Sequence, residues 1–113
     1  MSAALPPGHT RPAMSEADLQ ASVIDLARRT RWLYFHDNDS RRNKAGLPDL
    51  LLVHPETGRV IFAELKSDTG KLRPEQKQWI DALVRGGHHV VTWRPEHWRA
   101  GVIQHVLLSE RAA

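Results

Sequence analysis

The sequence predicts an α/β domain of order α-β-β-β-α-β, a mixed sheet flanked by helices. Three observations carry this. Two amphipathic stretches of helical period enclose three short apolar or aromatic runs. The second and third runs are joined by a segment with hairpin-turn chemistry. A fourth apolar run follows the second helical stretch, as a strand does when it returns to a sheet after a helical crossover.

Each element has its own signal. Residues 1–14 contain Pro6, Pro7 and Pro12 and no hydrophobic period, so they are expected to be a disordered tail, with the folded domain spanning 15–113. Ser15 opens "SEADLQASVIDLARR". Ser15 with Asp18 three residues later makes a capping box in its Asp form, and Leu19, Val23, Leu26 and Ala27 recur at helical spacing. "WLYFH", 32–36, is short and aromatic, a strand signal, and "DNDSRRNKAG", 37–46, is a polar loop. "LLLV", 50–53, has the form of a strand covered on both faces. "HPETGR", 54–59, is a turn with Gly58 at a positive-φ position, and it pairs 50–53 with "VIFAELK", 60–66, as an antiparallel hairpin. Pro74 opens "PEQKQWIDALVR", whose Trp79, Ile80, Leu83 and Val84 form an apolar stripe, and Gly86 and Gly87 stop it. "HVVTW", 89–93, is the returning strand, and 95–108 are expected to form short terminal helical turns.

Composition narrows the function classes. The chain has 113 residues and no cysteine, which excludes disulfides and thiolate metal sites and fits a reducing compartment. No apolar run approaches the roughly 20 residues of a membrane span, and the N-terminus lacks the pattern of a secretory signal, so a cytoplasmic protein without a membrane partner is expected. Lys and Arg number 16 against 13 Asp and Glu, a net charge of +3 that suits a polyanionic partner without requiring one. Basic residues cluster at Arg41, Arg42 and Lys44, and again at Lys66, Lys71, Arg73 and Lys77. Both clusters flank the most unusual residues of the chain.

Those residues are Asp49, Glu64 and Lys66, which lie in or beside strand-like apolar runs. Strand alternation puts Val60, Phe62, Glu64 and Lys66 on one face. Hairpin pairing brings position 49 next to 64 or 65. Two carboxylates then meet beside an ammonium, and each would repel the other unless a cation joined them. Mg²⁺ suits such a place, because it is hard, prefers oxygen ligands and commonly takes one or two carboxylates. The backbone carbonyl of Leu65 can add a third oxygen. Lys66 can offset charge that builds on a reacting phosphate. Taken singly, Glu64 with Lys66 is an ordinary strand-end ion pair and Asp49 an ordinary turn residue after Pro48. Glu16, in a first helical turn, also serves the helix dipole.

Pro48-Asp49 followed by Glu64-Leu65-Lys66, with 14 residues between the two acids, resembles the PD-(D/E)XK nuclease signature. "AGLPDLLLV", "IFAELKSDTGKLRPEQKQWIDALVRGGHHVVTW" and "SEADLQASVIDLA" together resemble the virus-type replication-repair nuclease (VRR-NUC) domain, over roughly residues 15–94. The resemblance implies a restriction-endonuclease-like core and metal ligation by Asp49, Glu64 and the Leu65 carbonyl. It further implies Glu16 near the metal, directly or through water, Lys66 as the catalytic lysine and Gln76 as an active-site polar contact. Gly46 and Gly70 fall where the family has glycines. Arg73 departs from the small polar residue common at its place. The implied activity is Mg²⁺- or Mn²⁺-dependent cleavage of DNA, structure-selective on branched forms such as Holliday junctions. Arg41, Arg42, Lys44, Lys71 and Arg73 are expected to contact phosphates.

Stand-alone members are similar to small dimeric resolvases, so a homodimer is expected. Its candidate surface is the C-terminal segment with Trp98, Val102, Ile103, Val106 and Leu107, which as easily caps the sheet of a monomer. Alternatives are a flap or nicking nuclease acting as a monomer, a non-catalytic DNA-binding module on the same fold, and a nuclease for RNA. The loop 37–48 starts like a calcium loop but has Arg42 at its sixth position and Pro48 at its twelfth, and the seven histidines include no zinc-protease pair.

Overall fold

The computed structural model describes residues 14–37 and 46–109. The expected tail, apart from Met14, and the basic residues Arg41, Arg42 and Lys44 lie outside the described residues. The order of elements is α1 (Glu16–Arg29), β1 (Leu33–His36), β2 (Leu50–Val53), β3 (Val60–Leu65), α2 (Pro74–Arg85), β4 (His89–Trp93), α3 (Pro95–Arg99) and α4 (Val102–Ser109). The α/β class and the mixed sheet flanked by helices follow the sequence-based expectation, and the terminal helical turns expected over 95–108 are the short helices α3 and α4.

The four strands lie in the order β1-β2-β3-β4. β1 with β2 and β2 with β3 are antiparallel, and β3 with β4 is parallel. The β2–β3 hairpin closes as its chemistry dictates: Gly58 has φ 74° and its N–H donates to the His54 carbonyl at 2.8 Å. α1 starts on a full capping box, in which Ser15 Oγ accepts from the Asp18 N–H at 3.0 Å and Asp18 Oδ2 accepts from the Ser15 N–H at 3.2 Å.

The sheet has two unequal faces. On one, Leu50, Leu52, Ile61, Ala63 and Leu65 pack with Leu19, Val23 and Ala27 of α1 and with Ile103 and Leu107 of α4, all essentially out of water. Trp32 closes this core, its indole N–H donating to the Leu107 carbonyl at 3.1 Å. The other face carries α2, and it is thinly covered. Trp79, Ile80 and Leu83 are only half-buried, Val84 is 54% exposed, and the fully buried side chain of α2 is Gln76. β2 accordingly alternates buried and half-buried residues rather than being sealed on both sides.

The C-terminal segment corrects an expectation. Ile103 and Leu107 are fully buried in the chain's own core, and Trp98 and Val106 pack against it. Only Val102, of the five residues offered as a dimer surface, is exposed. Apolar residues at helical spacing near a chain end serve the nearest open core first, and here α1 and the sheet left room for them.

Candidate active site

The register of the hairpin builds the site. Leu50 pairs with Ala63, so Asp49 stands opposite Glu64 at the mouth of the β2–β3 ladder. Asp49 is held there at both ends. Its Oδ2 accepts from the Leu65 N–H at 3.1 Å, and its carbonyl accepts from the Asp37 N–H at 3.2 Å. The side chain thus takes over a ladder bond where the strand itself stops.

Glu64 is the most unusual residue of the fold. It is 1% exposed, and it lies on the thinly covered face beneath α2. Its Oε2 accepts from Gln76 Nε2 at 2.8 Å and lies 3.7 Å from Lys66 Nζ. Its Oε1 is buried with no hydrogen-bond partner among the described residues. Burial, and then the negative charge of Asp49, push the Glu64 carboxyl up to about 8, against a smaller opposing pull from Lys66.

α2 reaches the acids through its first turn. Gln76 Oε1 accepts from the Arg73 N–H at 2.8 Å, closing the helix start, while its amide group holds Glu64. The same turn bears on the Asp49 segment. Gly46 has φ 104°, and a β-carbon there would lie 2.5 Å from the Glu75 carbonyl oxygen and 2.7 Å from Trp79 Cδ1. Only glycine gives both the left-handed backbone and the close approach.

Lys66 leaves the end of β3 with its side chain 14% exposed, on the same side as Glu64. The loop after it is tied down. Arg94 Nη1 donates to the Ser67 carbonyl at 2.7 Å and to the Gly70 carbonyl at 2.6 Å. Asp68 accepts from the Glu96 N–H at 2.9 Å and pairs with Arg99 at 3.0 Å. Gly70 donates to Ser67 Oγ at 2.9 Å, and a β-carbon on Gly70 would sit as close to that hydroxyl.

The structure therefore brings together Asp49, Glu64, Lys66 and Gln76. It places Lys71 and Arg73 on the exposed approach to α2. Glu16 is exposed in the first turn of α1, and no group of three or more His, Asp or Glu side chains converges to metal-binding range among the described residues. Sequence reasoning missed Arg94, Asp68 and Arg99. Their only trace was charged residues scattered over positions 68–99, which no local period connects.

An orphaned buried carboxylate oxygen, facing a second carboxylate that raises its proton affinity, is a position that a divalent cation fits. All donors present are oxygen, which suits a hard ion. Asp49, Glu64 and the Leu65 carbonyl are the groups that could hold it.

A mixed sheet with paired acids and a lysine at a strand end, beneath a helix that donates a glutamine, has the layout of a nuclease domain. The VRR-NUC domain model matches residues 11–94, and this chain belongs to that family. Over 46 residues it is 39% identical to the Fanconi-associated nuclease 1 homolog of Schizosaccharomyces pombe, a stretch that covers 41% of this chain and 6% of that protein. Two solved structures share the fold. A VRR_NUC domain protein superposes with TM-score 0.62 at 22% identity, covering 85% of this chain and 92% of its own. A second VRR_NUC domain gives TM-score 0.64 at 23% identity, over 80% and 96%.

Proposed function

We propose that this nuclease domain is a metal-dependent endonuclease that hydrolyses DNA phosphodiester bonds, selective for branched DNA such as Holliday junctions. The observation that carries the reading is the Glu64 carboxylate, buried beside Asp49 with one oxygen unpartnered. Burying a carboxylate against a like charge opposes folding, so its placement is a functional one.

Asp49, Glu64 and the Leu65 carbonyl would hold Mg²⁺, for which Mn²⁺ would substitute. When bound, the ion supplies positive charge that makes a water more acidic and offsets charge on the phosphate. The chain's residues do the rest. Lys66 orients the attacking water and stabilises the charge that develops on the phosphate oxygens. Gln76 keeps the Glu64 carboxylate aimed at the site. Glu16 acts through water, as its exposure allows. Lys71 and Arg73, with Arg41, Arg42 and Lys44 of the basic loop, grip phosphates without reading bases. Resolving a four-way junction takes two matched nicks, so the domain works there as a homodimer. The apolar surface open to a second copy includes Leu33 and Tyr34 on edge strand β1, 59% and 44% exposed.

A cleavage panel of linear, flapped, forked and four-way-junction DNA, with parallel RNA, tests this. Cutting of branched DNA that requires Mg²⁺ or Mn²⁺ and disappears in Asp49→Asn is expected. Flap cleavage by a monomer would replace the junction reading. DNA binding with no cleavage under any metal would leave a binding module.

A further inference from the structure

Beside the acids, on the thinly covered face, lies an open cavity of about 410 Å³ lined by Phe35, Leu47, Pro48, Leu51, Phe62 and Trp79, with Asp37 as its polar side chain. Its walls are apolar and three of them are aromatic. Phe35 is 63% exposed and Leu47 40%. Chain connectivity ties this cavity to the candidate site. Pro48 directly precedes Asp49. Phe62 stands two residues before Glu64 on the same strand face, roughly 6.6 Å away along β3. A phosphate held at Asp49 and Glu64 thus has its own nucleoside within reach of the cavity.

The chemistry of the walls selects an occupant. Unpaired bases stack on aromatic side chains, and every base has a π-face, so such platforms bind without regard to sequence. A base inside a duplex is already stacked and is not available. Lys71, Arg73 and Lys77 are exposed on the segment that leads into Trp79, interspersed with Glu75, while the charged side chain of the cavity wall itself is Asp37. Those cations can meet the phosphates that flank such a base.

We propose that this cavity is a subsite for one unpaired nucleobase adjacent to the scissile phosphate. Cleavage is thereby directed to nucleotides freed at a branch or fray, by the presence of a base rather than by its identity. The location of the subsite rests on the nuclease reading of Asp49 and Glu64.

The test combines binding and cleavage with the full chain. Forked oligonucleotides carry, next to the cut site, either 2-aminopurine or an abasic sugar, and both are titrated in EDTA against the wild type, Phe35→Ala and Phe35→Trp. Phe35 is largely exposed, so its replacement spares the core. The wild type is expected to quench 2-aminopurine and to bind the base-bearing strand about tenfold more tightly than the abasic one. Phe35→Ala should lose that preference and leave abasic binding unchanged, while Phe35→Trp keeps it. With Mg²⁺, cleavage rates should follow the same pattern. Equal weakening on both strands, or no preference in the wild type, overturns the subsite. So does sedimentation showing that Phe35→Ala splits a dimer while the base preference is absent. A retained base preference without any cleavage upholds the subsite and instead sinks the catalytic reading.

Discussion

Gln76 and Glu64 form a buried pair in which the amide donates to Glu64 Oε2 across 2.8 Å while its own oxygen caps α2 at Arg73. One side chain therefore serves the helix start and the carboxylate together. Gln76→Met removes both bonds while keeping volume. A loss of about 1–3 kcal/mol in stability is expected, because two polar groups lose partners. The Glu64 titration should move further upward, since a donor to its charged form is gone. Urea unfolding and carboxyl NMR read the two effects separately, and an unchanged Glu64 titration would count against the pairing.

The raised Glu64 carboxyl makes stability depend on pH. In the unfolded chain the group titrates at its ordinary 4.5 and in the fold at about 8. Between those values the folded state binds more protons, so stability falls as pH rises through the window and levels above it. The slope is at most about 1.4 kcal/mol per pH unit. Urea midpoints in EDTA should therefore fall from about pH 5 to about pH 8 in the wild type, with Glu64→Gln lacking that part of the decline. Saturating Mg²⁺ should oppose the decline by favouring the ionised form. Parallel pH curves for wild type and Glu64→Gln would show that Glu64 does not titrate there.

Lys66→Ala should lower turnover by about 10²-fold or more, the scale of losing one stabiliser of transition-state charge, while sparing metal affinity. Lys66→Arg should rescue poorly, because a planar guanidinium replaces a compact ammonium on a side chain that is 14% exposed. Single-turnover rates at saturating metal decide this. A variant that binds metal weakly yet keeps its maximal rate would contradict the assignment.

Gly46→Ala should destabilise the fold by at least about 1–3 kcal/mol, from the positive φ and the overlap with the first turn of α2. The displacement shifts the segment that leads from Gly46 to Asp49, so activity should fall further than the folded fraction does. Thermal unfolding with activity per folded molecule separates the two. Gly58→Ala is the control, since a β-carbon there meets nothing within 4 Å and only the backbone penalty remains.

Arg94→Met frees the loop that follows Lys66. Two bonds from a charged donor are lost, and a drop of roughly 1.5–3 kcal/mol is expected. Proteolysis should turn to the segment between Ser67 and Gly70, and turnover should fall more than metal affinity does. Unchanged protease sensitivity would show that Asp68 and Arg99 suffice to hold the loop.

Much of this was legible in the sequence, and the reasons differ by element. The capping box at Ser15, the hairpin around Gly58 and the approach of position 49 to 64 or 65 are local patterns of fixed spacing, and all appear in the fold. Period alone does not say which apolar stripe is buried. The stripe of α2 leaves Val84 in water, while Ile103 and Leu107 of the terminal segment, offered as an open surface, lie in the core. The exposure of Phe35 was equally hidden, because aromatic strands look alike at the edge and at the centre of a sheet. Arg94 meets Ser67 and Gly70 across a helix and a strand, a closure that only the folded topology creates.

The first turn of α2 touches both halves of the site, Gly46 ahead of Asp49 through the Glu75 carbonyl and Glu64 through Gln76. That turn acts as a gauge block. The gap between the carboxylates, laid down by the hairpin register, is backed on both sides by this one piece. In the proposed reading, such a gap discriminates by ionic radius. A gap so backed would favour the smaller, more exacting Mg²⁺ over Ca²⁺, whose ligand distances are longer by roughly 0.3–0.5 Å. Calcium would then occupy the site as an inhibitor, and loosening the gauge at Gln76 would relax the choice of ion before it unfolded the protein.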